Sequence, residues 1–415
     1  MNRSMNQKPH RPPQQGSGAS VYPVSTTESL VSALLAWFAT AARDLPWRRT
    51  RNPYAIWVSE IMLQQTQVKT VVPYWERWMR EIPTLQALAK ARTDKIHKLW
   101  EGLGYYTRVR NLQKSAQQIL AQHHGQFPKS FDAVLALPGI GRYTAGAICS
   151  IAFDQPTPIL DGNVIRVLTR VYGIATDPRE KQTKARLWQL AEAFVTHAAR
   201  LDSCSALNQS LMELGALICT PRSPHCAVCP VQKLCAARKN NLQAQLPNLG
   251  KRAAATKRRF IALVVERRGK FLVRQRPAGV VNAHLWEFPN VEAGANIGRA
   301  RNSVRAAALQ TEKGTPKTDA PYQPNLFRSM SAKPFCTFKH SITRYRITLE
   351  VWRVELANPA SKVSGRWLSP KQLRQLAFTS AHKKILAQLQ AERQPPTRCV
   401  SKLSPATSQV GYRRS

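Results

Sequence analysis

Apolar residues recur at three- and four-residue spacing through residues 29–38, 54–72, 84–99 and 109–123. That is the period of a helix with one buried face. Pro83, Gly102, Gly104 and Gly125 fall between these runs as stops, because proline lacks the amide that continues a helix and glycine loosens it. Up to about Arg238 no alternating stretch interrupts the pattern, so this region predicts an all-α domain. Beyond residue 256 the period changes. Phe260-Ile-Ala-Leu-Val-Val-Glu266, Gly269-Lys-Phe-Leu-Val-Arg-Gln275 and Tyr345-Arg-Ile-Thr-Leu-Glu-Val-Trp-Arg-Val354 predict strands, and residues 373–390 a closing helix. The chain therefore divides into a basic tail (1–27), a helical domain (28–240), a polar linker (241–256), an α+β domain (257–390) and a second tail (391–415). Both tails are rich in Pro, Ser and basic residues and read as disordered.

Charge narrows the function. The 415 residues carry 62 Lys and Arg against 23 Asp and Glu, a formal net charge of +39. Residues 251–415 alone hold 32 basic and 8 acidic side chains. Such a surplus exceeds what solubility needs and points to a polyanionic partner, nucleic acid first, with a generally arginine-rich composition as the alternative. With 43% hydrophobic residues the chain is not wholly disordered, and its length suits two or three domains with their own cores. No uncharged apolar run reaches the length of a membrane span, and the polar first residues hold no signal-peptide core. A cytoplasmic, nucleoid-associated protein is the expectation.

Eight cysteines are present, and four of them form Cys219-x6-Cys226-x2-Cys229-x5-Cys235. Clustering in a long chain favours a metal over a disulfide framework. Four thiolates suit either a tetrahedral zinc or the corners of an iron–sulfur cubane, and spacing alone leaves both open. No open ligand position is evident, which argues for a structural role. Arg222, Lys233, Arg238 and Lys239 make the loop basic, a candidate DNA-facing surface.

Further candidates precede it. Leu137-Pro-Gly139-Ile-Gly141-Arg-Tyr143 sets a glycine turn ahead of an apolar helix. Free amides at a helix start suit a phosphate oxygen and carry no base information. Asp161, in Ile159-Leu-Asp-Gly-Asn163, reads as an N-cap whose anion the amides and helix dipole would keep ionised. Glu60 is the lone carboxylate in Ile56-Trp-Val-Ser-Glu-Ile-Met62. An apolar surrounding would raise its pKa and keep a proton for donation, although a single Glu on a helix is more often solvated. Two acids in opposed environments are the pattern of glycosyl-bond chemistry.

At these residues the chain resembles the helix-hairpin-helix DNA glycosylases, and among them the MutY family of adenine DNA glycosylases. The resemblance runs through most of the first domain on Leu45-Pro-Trp-Arg48, Ser59-Glu-Ile-Met-Leu-Gln-Gln-Thr66, Gly102-Leu-Gly-Tyr-Tyr106, the 137–143 turn, Leu160-Asp-Gly-Asn163 and the four-cysteine loop. It implies a 4Fe-4S cluster on Cys219, Cys226, Cys229 and Cys235. It also implies that Glu60 protonates adenine at N7 and later acts as base toward water, and that Asp161 stabilises the oxocarbenium-like sugar. Tyr143 and Asn163 would support the sugar and Asp161. Trp47 and Arg48 would hold the extruded adenine. Leu63 and Gln65 would face the DNA, with Gln65 filling the hole left by the flipped base, and Tyr105 would be the wedge beside the opposite base. Gly139 and Gly141 would present the phosphate amides. For Trp47 and Tyr105 core packing is the alternative. Bifunctional endonuclease III-like relatives carry Lys where this chain has Tyr143, so no amine is present there to form a Schiff base.

Residues 257–390 are similar to the Nudix-like carboxy-terminal domain of the same family, which reads 8-oxoguanine. His284-Leu-Trp-Glu-Phe-Pro289 carries the match. The stretch from Gly294 to Arg305 has no acid to hold magnesium, so pyrophosphohydrolase activity is not expected. The lesion-reading run departs from the family's pattern. His340-Ser341-Ile342-Thr343-Arg344 keeps hydroxyls at Ser341 and Thr343 but has Ile and Arg where Phe and His are usual. Taken together, the chain predicts a monofunctional, monomeric glycosylase that hydrolyses the N-glycosidic bond of adenine opposite 8-oxoguanine or guanine in duplex DNA, in base excision repair. A related thymine-mismatch or endonuclease III-like glycosylase and a catalytically silent iron–sulfur DNA-binding protein are the alternatives.

Overall fold

The computed structural model describes residues 24–250, 254–293, 327–331, 333–342, 344–356 and 364–393. The chain divides into two compact units. One comprises residues up to Ala91 together with Arg108–Arg252, and the other Arg92–Thr107 together with the residues from Ala253 on.

Among the described residues, the first unit is built of helices and their connections. Its helices are α1 (Val24–Ala41), α2 (Pro53–Leu63), α3 (Val68–Glu81) and α4 (Leu85–Lys90), and, after the short α5 (Thr93–Trp100) of the second unit, α6 (Thr107–Gln122) and α7 (Phe131–Leu135). Then come α8 (Arg142–Phe153), α9 (Gly162–Val171), α10 (Lys181–Ala199), α11 (Cys204–Leu217) and α12 (Ala236–Lys239). The all-α expectation therefore holds, with two refinements. The run 54–72 is broken by a turn at residues 64–67, and the run 84–99 by one before Thr93. Apolar spacing continues across both breaks, so periodicity alone could not see them. Helix α1 also begins at Val24, inside the stretch assigned to the tail, because its first turn is polar and lacks the periodic signal. Leu30, Leu34, Val164, Leu168, Leu187, Phe194, Leu211 and Leu214 form one continuous core across α1, α9, α10 and α11. Burying such side chains contributes about 1.5–3 kcal/mol each, before conformational entropy is charged against it. The polar segment ending at Gly250 lies on this unit: Leu246 is buried and its carbonyl accepts from Arg170 Nε at 2.9 Å.

Among the described residues, the second unit is a mixed sheet with α5 and two later helices. Its strands are β1 (Thr256–Arg267), β2 (Lys270–Gln275), β3 (Trp286–Glu287), β4 (Asn290–Ala293), β5 (Phe327–Met330), β6 (Cys336–Ile342), β7 (Tyr345–Leu356) and β8 (Arg366–Leu368). The order is β3-β2-β1-β7-β5, with β4 on β1, β6 on β7 and β8 on β2. β1 and β7 run parallel from Thr256↔Tyr345 to Val265↔Val354, whereas the other pairs are antiparallel. Helices α13 (Pro370–Gln375) and α14 (Ser380–Arg393) follow. Ala262 and Val264 face a core shared with α13 and α14, while Ile261, Leu263 and Val265 face a second cluster with Trp352. A strand covered on both faces needs this unbroken apolar run. Residues 294–305, where a magnesium box would lie, are outside the described residues.

Candidate active site and iron–sulfur loop

Helix α2 starts on Asn52, whose side chain accepts from the Tyr54 amide, with Pro53 at its first position, a favoured start. Every residue from Tyr54 to Met62 is buried. Such a helix is a core helix and offers no solvated face. Glu60 is only 5% exposed, so the commoner solvated reading is set aside. Tyr143, near the start of α8, donates its phenol to Glu60 Oε2 at 2.8 Å. The Tyr143 phenol oxygen also lies 3.2 Å from Met212 Sδ on α11. Burial lifts the Glu60 carboxyl to about 7, with the phenol pulling it down and Asp161 pushing it further up. A carboxylic acid near neutral pKa is a competent proton donor at physiological pH.

Asp161 caps α9, as its position before an apolar helix predicts. Its Oδ1 accepts from the amides of Asn163 and Val164 at 2.9 and 2.7 Å, and its Oδ2 from Asn163 Nδ2 at 2.9 Å. The expectation that these donors dominate is corrected. Burial outweighs them and raises the carboxyl above its ordinary value. The two acids differ in partners, one phenol against three amide donors, yet shift in the same sense. One residue joins them: Tyr143 is bonded to Glu60 and is raised well above the ordinary phenol value by burial and by both carboxylates.

Asn163 is held in turn. Its Oδ1 accepts from Arg166 Nη2 at 2.8 Å, and Arg166 also donates to the carbonyls of Gly215 and Cys219, each at 2.7 Å. A Cβ at Gly215 would stand 2.6 Å from Asn163 Cβ, so only glycine lets α11 approach α9 this closely.

Sequence reasoning missed the polar residues of α11. Glu213, 1% exposed, accepts from Arg43 (2.7 and 2.6 Å) and from Arg48 (3.1 and 2.9 Å). Despite burial, these partners hold its carboxyl down at about 2. Arg48 Nε donates to Gln209 Oε1 at 3.1 Å, so every guanidinium nitrogen of Arg48 has a protein partner. Trp47 is buried, edge-on to Trp75 with ring centroids 6.1 Å apart, in keeping with the core-packing alternative. The signal for Glu213 was available: it sits alone in Ser210-Leu-Met-Glu-Leu-Gly215, as Glu60 does in its own run.

The DNA-facing candidates are distributed. In the 137–143 turn, Gly139 has φ +78°, and a Cβ there would meet Asn111 at 2.6 Å. Gly141 is the N-cap of α8, with open space where a side chain would be, so amides and solvent meet there. Leu63 ends α2 and Gln65 follows it exposed at φ +58°. Tyr105, in the other unit, is 46% exposed at φ +45°. There the carbonyl of Gly104 accepts from Trp100 Nε1 at 3.0 Å. Ser341 is exposed on β6, where alternation turns His340 and Ile342 inward. Thr343 lies outside the described residues.

Cys219, Cys226, Cys229 and Cys235 line one cavity, walled by Val167, Leu214, Ile218 and Val231. Burial and the neighbouring thiols of Cys219, Cys235 and Cys226 push Cys229 up to about 11. Four crowded thiols become stable thiolates when a cationic centre binds them, so the donor set fits an iron–sulfur group. Among the described residues, no three His, Cys, Asp or Glu side chains converge on a single-ion site. Four thiols lining one cavity can take the corners of an iron–sulfur cluster. Of the basic residues here, Arg222, Lys233 and Lys239 are exposed, whereas Arg238 turns inward to Cys226 O and Gln232.

Comparison with known proteins agrees with this geometry. Residues 58–193 match the HhH-GPD superfamily of base excision DNA repair proteins, and residues 260–388 the NUDIX domain. Residues 219–235 match the iron–sulfur binding domain of endonuclease III. The chain is 37% identical to the adenine DNA glycosylase of Rattus norvegicus over 85% of its own length and 76% of the relative's. To that of Homo sapiens it is 35% identical, over 93% and 78%. The chain belongs to the adenine DNA glycosylase family. The family's Buchnera aphidicola member from Schizaphis graminum is 37% identical, over 62% of this chain and 74% of its own. Membership makes the chain a DNA glycosylase of base excision repair with an iron–sulfur cluster, for which the four cysteines of the loop are the ligand set on hand. No helix among the described residues is long and apolar enough to cross a membrane.

Proposed function

We propose that this enzyme excises adenine paired with 8-oxoguanine or guanine in duplex DNA, as a monomer and without cutting the strand, in the cytoplasm at the nucleoid. The observation that carries the reading is the Tyr143 phenol, bonded to Glu60 at 2.8 Å and facing the field of Asp161. Glu60 is protonated near neutrality and gives its proton to N7 of the extruded base, so the base leaves with the electrons of the glycosidic bond. The sugar is left with oxocarbenium character, and Asp161, oriented by Asn163, supplies the opposing charge. Glu60, now a carboxylate, takes a proton from water as it adds to C1′. The iron–sulfur cluster, when bound, holds the loop whose Cys219 carbonyl anchors Arg166, and no chemical step is assigned to it. At the place of Tyr143 a phenol cannot form a Schiff base, which supports hydrolysis without β-elimination.

Single-turnover assays on A:8-oxoguanine, A:G and T:G duplexes, developed with alkali, test the proposal. Cleavage of both adenine pairs and not of T:G is expected. Release of thymine favours the mismatch-thymine reading, and binding without cleavage the silent DNA-binding one. High-yield borohydride trapping of a protein–DNA adduct would contradict the Tyr143 assignment.

A further inference from the structure

We propose that Arg108 is a positioning residue for base extrusion, acting through Gln65. The inference rests on the reading of Gln65 as the side chain that fills the vacated place in the duplex. Helix α2 ends at Leu63, and like every helix it leaves its last carbonyls without intrahelical partners. Arg108, at the start of α6, donates from Nη1 to three of them: Ile61 O at 2.8 Å, Met62 O at 3.0 Å and Gln64 O at 2.6 Å. Its Nη2 reaches Thr66 Oγ1 at 3.5 Å. A guanidinium at a helix carboxyl end also meets the negative pole of the helix dipole. The next turn is closed by Thr66 N donating to Leu63 O at 3.2 Å.

Gln65 follows directly on these anchored carbonyls, ahead of the Thr66 hydroxyl, at φ +58° with its side chain exposed. A left-handed residue after a helix is ordinarily glycine, and a side chain there costs about 1–2 kcal/mol. Such a conformation persists only where its surroundings over-determine it, and it clusters at working sites. Arg108 supplies that constraint on both sides of residue 65. The guanidinium's second nitrogen, reaching Thr66 while the first holds the carbonyls, has no counterpart in an ammonium. The consequence is a rigid tip: Gln65 is aimed before DNA arrives, so its entry into the base stack costs little further ordering.

The test separates extrusion from chemistry. Arg108→Ala, Arg108→Lys and Gln65→Ala would be compared with the unaltered enzyme in single turnover. The substrates are an A:G duplex and the same duplex with adenine opposite a tetrahydrofuran abasic site, where extrusion is easy. Arg108→Ala is expected to lose about 10- to 100-fold on A:G and less than about threefold on the abasic partner. Arg108→Lys is expected to fall between, which keeps the test alive if the alanine variant fails to fold. The fluorescence rise of 2-aminopurine at the target position should shrink in Arg108→Lys as in Gln65→Ala. Equal losses on both duplexes would show that Arg108 merely steadies the helix of Glu60 and would overturn the proposal, as would no loss on A:G. A Gln65→Ala enzyme with unchanged A:G turnover would instead remove the premise about Gln65, a result separable from the first two.

Discussion

Two buried glutamates of the first unit lead opposite lives. Glu60 on α2 has a phenol for a partner and rises to about 7. Glu213 on α11 has two arginines and falls to about 2. The second unit repeats the latter arrangement, since Glu101 lies between Lys98 and Lys383 and Glu287 between Arg274 and Arg276, and both are lowered. Burial raises every one of these acids; cations bring Glu213 and Glu287 low, and at Glu101 the Phe378 amide and two lysines do so together. Leaving Glu60 without an ion pair is what makes it a proton store, whereas Glu213 is part of the frame.

The sharpest way to break this contrast is to remove the proton. Glu60→Gln should lower single-turnover adenine release by about 10²- to 10⁴-fold while duplex affinity, read by gel shift, stays within a few-fold. Asp161→Asn keeps the side chain's size but loses the anion, and should cost about 10²- to 10³-fold in the same assay. Release at wild-type rates by either variant would refute its assigned role.

Stability should show the two glutamates with opposite signs. Glu213→Gln strands Arg43 and Arg48 and should destabilise the protein by about 3–5 kcal/mol at pH 7 in denaturant unfolding. Because its carboxyl is lowered in the folded state, its stabilisation is full above pH 4.5 and is lost as the pH falls toward 2. Glu60 has a raised carboxyl, so its cost appears as pH rises from 4.5 and is complete above about 7. Glu60→Gln should therefore gain about 3 kcal/mol at pH 8 and less than about 1 kcal/mol at pH 5. A gain that is the same at both would contradict the buried-acid account.

The smallest effect is the most specific. The Tyr143 hydrogen bond lowers Glu60 against the pull of burial. Tyr143→Phe should move the alkaline fall of the single-turnover rate to higher pH, because the acid then holds its proton longer. A limb that stays put would mean that Glu60 is not the group titrating there.

Much of this was legible in the residues. Isolated carboxylates in apolar helices, the glycine turn and four close-set thiols are local patterns, and each locates its own chemistry. The strands were equally plain, because Ile261–Val265 is covered on both faces and must be apolar throughout. What stayed hidden depends on what lies across a helix. Nothing along the chain says that Arg48 meets Glu213, 165 residues away, or that dehydration outweighs three donors at Asp161. The break after Leu63 was invisible for a similar reason. The apolar rhythm runs through it, and part of what holds the turn is an arginine distant in sequence.

One contact reaches further than its size suggests. At position 215 the two helices meet at Asn163, the residue that steadies the carboxylate, with no room there for a side chain. Exchanging the glycine's hydrogen for a methyl touches neither acid, yet the asparagine must yield and the anion loses its fixed bearing on the sugar. In this protein an outwardly mild Gly215→Ala change would show up as slower chemistry rather than as weaker grip on DNA.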